Sequence, residues 1–84
     1  MDRIILPDGA EFSASYAGED PAGTLFSASL KTTDILAVVN AFTGADSFTV
    51  INPNTGEHIY TGYTQLSELH KWPDCITIIL RKGE

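Results

Sequence analysis

Few residues in this chain could do chemistry: two histidines, His58 and His70, one cysteine, Cys75, and eleven acidic side chains. Zinc sites usually draw their ligands in pairs roughly two to four residues apart, and the spacing of His58, His70 and Cys75 matches no such pattern. A thiolate nucleophile would need His70 as the base for Cys75 and a third group to orient the imidazole. The two residues lie across one turn, and the sequence offers no third group. They read instead as surface histidines and a small apolar residue at the start of a strand. Ser13, Ser15, Ser27 and Ser29 alternate along strand-like segments, which puts them on a wet face, and none sits in the G-x-S-x-G turn that exposes a nucleophilic serine. Asp8, Glu19, Asp20 and Asp46 fall in loops without the D-x-D-x-D-G spacing of a calcium loop, and no glycine spacing suits a phosphate cradle. No catalytic, cofactor-binding or metal-ligating residue is expected, and so no enzyme and no cofactor.

Tyr60, Tyr63 and Trp72 remain, in and beside the last strands. Tyrosine and tryptophan are enriched at interface hot spots because they bury a large area while keeping a polar handle. The same residues also serve a small sheet as cross-strand pairs, each worth about 0.2–1 kcal/mol. Ile79 adds weight to the interface reading, as the one apolar residue on the otherwise polar face Thr77, Ile79, Arg81. The candidate interface is therefore Tyr60, Tyr63, Trp72 and Ile79.

The elements that must carry these residues follow from periodicity and breakers. Arg3 to Leu6 is a short apolar run stopped by the turn signature Pro7-Asp8-Gly9. From Glu11 the chain alternates, with Phe12, Ala14 and Tyr16 on one face. A loop at Gly18 to Gly23 follows, and then Thr24 to Leu30 alternates again with Phe26, Ala28 and Leu30 facing one way. The helix is expected over Thr33 to about Thr43: Thr32 or Thr33 caps it and Asp34 sits in its first turn. Ile35, Val38, Val39 and Phe42 form its apolar stripe, and Gly44 ends it. Ser47 to Ile51 reads as a strand with Phe48 and Val50 inward, and Asn52-Pro53-Asn54-Thr55-Gly56 as a turn. Glu57 to about Leu69 reads as one long strand in which Gly62 is a bulge, resetting the register so that Ile59 and Leu66 both face the core. A turn carrying Pro73 and Asp74 leads to the final strand, with Ile76, Ile78 and Leu80 inward. The order is βββ, α, βββ: an α+β domain over residues 1–84, mainly an antiparallel meander of about six strands, with one amphipathic helix on one sheet face.

Composition is consistent with this. The chain has 84 residues, 43% hydrophobic and 19% charged, the balance of one small folded domain rather than a disordered tail. No apolar run approaches the roughly 20 residues that cross a bilayer. The start MDRIILPDG lacks the basic and apolar regions of a signal peptide, and a lone cysteine fits a reducing compartment, so a cytoplasmic location is expected. The net charge of −6, with only five basic residues, argues against binding nucleic acid, because phosphate binding depends on lysine and arginine replacing counterions. The same charge suits a basic protein partner.

Together MDRIILPDG, HIYTGYTQL and the closing ITIILRK resemble short uncharacterised proteins encoded among the tail and baseplate genes of bacteriophages and prophages of Gram-positive bacteria. The resemblance spans most of the chain and rests on strand and turn residues. It implies a small structural or accessory component made in the host cytoplasm, with incorporation into a virion among the outcomes, and carries over no site residues. The expected function is non-enzymatic: protein–protein interaction or self-association, with a homo-oligomer among the outcomes, through the C-terminal hairpin or a sheet edge. The alternative expectation is a small acidic inhibitor that occupies a basic nucleic-acid-binding site on a host protein.

Overall fold

Pro7-Asp8-Gly9 turns the chain between β1 (Asp2–Ile5) and β2 (Glu11–Glu19). The Leu6 N–H donates to the Ala10 carbonyl over 2.8 Å, and the Asp8 carboxylate accepts the Ala10 N–H over 2.9 Å. A second tight loop leads to β3 (Leu25–Leu30). Asp20 clamps that loop by accepting the N–H groups of Thr24 and Leu25 at 2.7 and 3.0 Å. These bonds, the one from Leu25 foremost, hold the Asp20 carboxyl below its ordinary pKa. The remaining elements are helix α1 (Ile35–Phe42), β4 (Ser47–Asn52), β5 (Gly56–Thr61), β6 (Gln65–Lys71) and β7 (Ile76–Arg81), in a computed structural model that describes residues 2–83.

All the strands join one antiparallel sheet of seven, in the order β5-β4-β1-β2-β3-β7-β6. The two edge strands, β5 and β6, are consecutive in sequence and joined by only three residues, Gly62, Tyr63 and Thr64. So short a connection spans the opposite edges only if the sheet rolls round on itself. Two backbone bonds pin the roll at this seam: Gly62 N–H to the Asp46 carbonyl at 3.0 Å, and Gly83 N–H to the Gly62 carbonyl at 2.9 Å. A side chain at position 83 would meet Oγ1 of Thr64, so any larger residue there requires the Thr64 hydroxyl to turn away.

The concave face holds the core. Ile4, Phe26, Ala28, Leu30, Phe48, Val50, Ile76, Ile78 and Leu80 project into it, and α1 packs over it with Val38, Ala41 and Phe42. Aromatic rings stitch the layers together. Phe48 meets Phe26 at 4.8 Å and Phe42 at 6.0 Å between centroids, and Phe42 stacks on Phe12 at 5.8 Å. Each such pair adds about 0.5–1.5 kcal/mol beyond the area it buries.

The structure corrects several expectations. The segment from Glu57 to Leu69 is two strands at opposite edges of the sheet, not one, so there are seven strands rather than six. Only β1-β2-β3 form a meander; the later hairpins add on either side of it. Gly62, at φ +85°, ends β5 rather than bulging within it. Ile59 faces out, 66% exposed, while Tyr60 takes the inward row opposite Phe48. Leu66 and Leu69 both pack on the core because the real bulge in this region lies at Ser67. Another bulge, at Ser15, turns Tyr16 outward and brings Ala17 in opposite Ala28. The helix begins later than expected because Asp34 is its N-cap, accepting the Ala37 N–H over 3.1 Å, while Thr32 accepts the Asp34 N–H over 3.2 Å. Its buried stripe centres on Val38, Ala41 and Phe42, which leaves Ile35 at the margin and Leu36 exposed.

Candidate interaction surface

Tyr60 and Tyr63 lie at the seam of the roll and serve the chain's own packing. Tyr63 is 1% exposed, and Tyr60 is half-buried with its ring 5.0 Å from that of Phe26. The Tyr63 hydroxyl donates to the carboxylate of Glu19 at the end of β2, and the Lys82 ammonium lies 5.3 Å from its ring centre. One side chain therefore ties β2, the β5–β6 connection and the segment after β7. Burial first, and then the bond to Glu19, push the Tyr63 pKa well above the ordinary tyrosine value. A hydroxyl so placed keeps its proton throughout the neutral range, so the arrangement is a latch and not an acid–base site. His58 and Lys82 border the same seam, around a depression of about 330 Å³.

Trp72 and Ile79 lie elsewhere, on the convex face of the β6–β7 hairpin. Trp72 is 54% exposed, and its indole Nε1–H donates to Oγ1 of Thr77 over 3.1 Å, which holds the ring down beside the strand. Thr77 pairs with Ser29, and Ser29 with Tyr16, so one outward row runs Tyr16, Ser29, Thr77 across three strands. Tyr16 is 49% exposed. Ser29, although it points outward, is 8% exposed, as a small side chain must be when larger neighbours flank it. Ile79 pairs with Ser27 in the next outward row and is half-buried. Ser29 and Thr77 thus lie low between two half-exposed aromatic rings, and Ser27 and Ile79 form the adjoining row, with Glu68 opposite Ile79. Tyr16 is not visible as a surface residue from its spacing: alternation from Glu11 runs through it unbroken, and only the bulge at Ser15 moves it outward.

The edges differ from one another. β6 is broken by its bulge at Ser67, carries Glu68, His70 and Lys71, and lies beside α1, all features that discourage another strand from adding. β5 pairs with β4 in unbroken register from Gly56 to Thr61 and carries exposed Ile59. His58 falls on the inward row opposite Val50 and is nevertheless exposed, so the roll is open along this strand.

The residues that could do chemistry are dispersed. His70 Nε2 lies 3.0 Å from the Glu68 carboxylate on the exposed side of β6, and Cys75 is half-buried at the turn into β7. Among the described residues no three His, Cys, Asp or Glu side chains come together as metal ligands would, and no helix is long and apolar enough to cross a membrane. No family model matches the chain, and no curated protein or solved structure is significantly similar to it.

Proposed function

We propose that the chain is a non-enzymatic protein–protein interaction or structural accessory module that assembles through its C-terminal hairpin or a sheet edge. The observation that carries this reading is the convex patch spanning β2, β3 and the β6–β7 hairpin, where Tyr16 and Trp72 stand half-exposed on either side of Ser29 and Thr77 and Ile79 lies in the adjoining row. Large aromatic side chains left half in water on one face are the surface that association rewards. The likeness of MDRIILPDG, HIYTGYTQL and ITIILRK to phage tail-region proteins supports a phage or prophage origin and a role in particle assembly. A single free cysteine agrees with use in a host cytoplasm or within a virion.

Light scattering across a concentration series, followed together with Trp72 fluorescence, tests the self-assembling form. The expected result is a mass rising above that of one chain; Trp72 emission moves to shorter wavelength where the hairpin patch is the contact and stays unchanged where a sheet edge is. A monomer at every concentration with unchanged emission contradicts it. The net charge of −6 favours a second reading, an acidic decoy for a basic nucleic-acid-binding groove. Salt separates the two, since a decoy would bind far more weakly once the Debye length falls from about 10 Å at 0.1 M to about 3 Å at 1 M, while apolar assembly would persist.

A further inference from the structure

The orientation of the peptide groups along β5 can be read from one bond. Gly62 N–H donates to the Asp46 carbonyl, one step beyond the Ser47–Thr61 pair that closes the β4–β5 ladder. Hydrogen-bonded and non-bonded pairs alternate along an antiparallel ladder. Tyr60 opposite Phe48 and His58 opposite Val50 therefore direct their backbone groups toward β4, and Glu57, Ile59 and Thr61 direct theirs away from the sheet. Each of these three residues presents one donor and one acceptor at an unbulged edge whose side chains are exposed there.

We infer that β5 pairs antiparallel with β5 of a second copy of this chain, with Ile59 opposite Ile59. The inference rests on the interaction-module reading and specifies its partner and surface. A two-fold axis through the edge can centre on His58, Ile59 or Tyr60 if facing side chains are to project to the same side. Centred on His58, it leaves Thr61 opposite the turn; centred on Tyr60, it leaves Glu57 opposite the β5–β6 connection. Centred on Ile59, it pairs Ile59 with itself and Glu57 with Thr61, so every outward N–H and C=O of the strand finds a partner. Side chains agree with this register. The exposed Ile59 side chains cover one another, and Glu57 faces a hydroxyl rather than a second carboxylate, which matters between two chains that each carry −6. A second copy fits for a further reason: an isologous contact needs one self-complementary strand and closes at two.

Disulfide trapping in a Cys75→Ser background tests the register. Directly opposed Cα atoms in a bonded antiparallel pair are about 5.5 Å apart, within the roughly 4.4–6.8 Å that a disulfide bridges. Ile59→Cys chains should therefore form covalent dimers under mild oxidation, as should a mixture of Glu57→Cys and Thr61→Cys chains. Glu57→Cys alone should not, because its two copies would be roughly 14 Å apart along the strands. Ile59→Lys changes only an exposed side chain, and should remain folded and turn monomeric at concentrations where the native chain is dimeric. Assembly by light scattering without cross-linking at position 59, or with equal cross-linking by Glu57→Cys alone, overturns the β5 pairing and leaves the module reading in place. A native chain that stays monomeric throughout overturns the pairing together with the self-assembling form of that reading.

Discussion

Tyr63 joins three parts of the chain through one side chain. Its ring fills the seam of the roll, and its hydroxyl holds Glu19. Because its pKa in the folded chain is raised, the stability it contributes is present in full below the unfolded tyrosine value of about 10 and is lost as pH climbs from there toward the folded value. Urea denaturation as a function of pH should therefore show the fold weakening above about pH 10. Tyr63→Phe keeps the ring and removes the hydroxyl; it should cost about 1–2 kcal/mol at neutral pH and flatten part of the alkaline decline. Unchanged stability at both pH values would remove the latch from the account. Composition and spacing favoured neither core nor interface for Tyr60, Tyr63 and Trp72, because a large aromatic beside a turn satisfies both roles equally well. The pairing of β5 with β4 turns Tyr60 inward, and the path of the chain after Gly62 sends Tyr63 to the seam and Trp72 to the outer face.

Among the elements, the three-residue connection between β5 and β6 decides the architecture. Gly62 turns there with φ +85°, a region that costs an L-residue roughly 1–2 kcal/mol, so Gly62→Ala should lower stability by about that amount, as thermal or urea unfolding would measure. A neutral substitution would mean that the connection relaxes without loss of the roll. The strands with uninterrupted alternation, β3, β4 and β7, were legible in the sequence, as were the helix and its terminating glycine, since period and breakers report them directly. The bulges at Ser15 and Ser67 were not. A bulge made by serine needs no special backbone signal, and it inverts every side chain beyond it, which is why Tyr16 is expected on the wrong face; Ile59 is misplaced for a different reason, the reading of β5 and β6 as one strand. Gly62 was legible as an interruption, but a glycine that resets a register and one that ends a strand have the same local sequence.

At the scale of the molecule, the fold is a rolled seven-stranded sheet closed at one seam, filled by a helix, and open along β5. Strand order could not be read from the chain, because hairpins report their own two strands and not which edge they join. β4-β5 and β6-β7 are each plain hairpins in the sequence, yet one extends the sheet beyond β1 and the other beyond β3. From this order comes the asymmetry on which the functional account depends: one edge bulged, charged and beside the helix, the other straight and bare. Amide hydrogen exchange of the native chain, resolved residue by residue at low and high protein concentration, tests it most directly. His58 and Tyr60 should be protected at both concentrations by their bonds to β4, while Glu57, Ile59 and Thr61 should exchange rapidly when dilute and become protected together when concentrated. Rapid exchange of Glu57, Ile59 and Thr61 at every concentration, in a chain that light scattering shows to be assembled, would contradict pairing through β5.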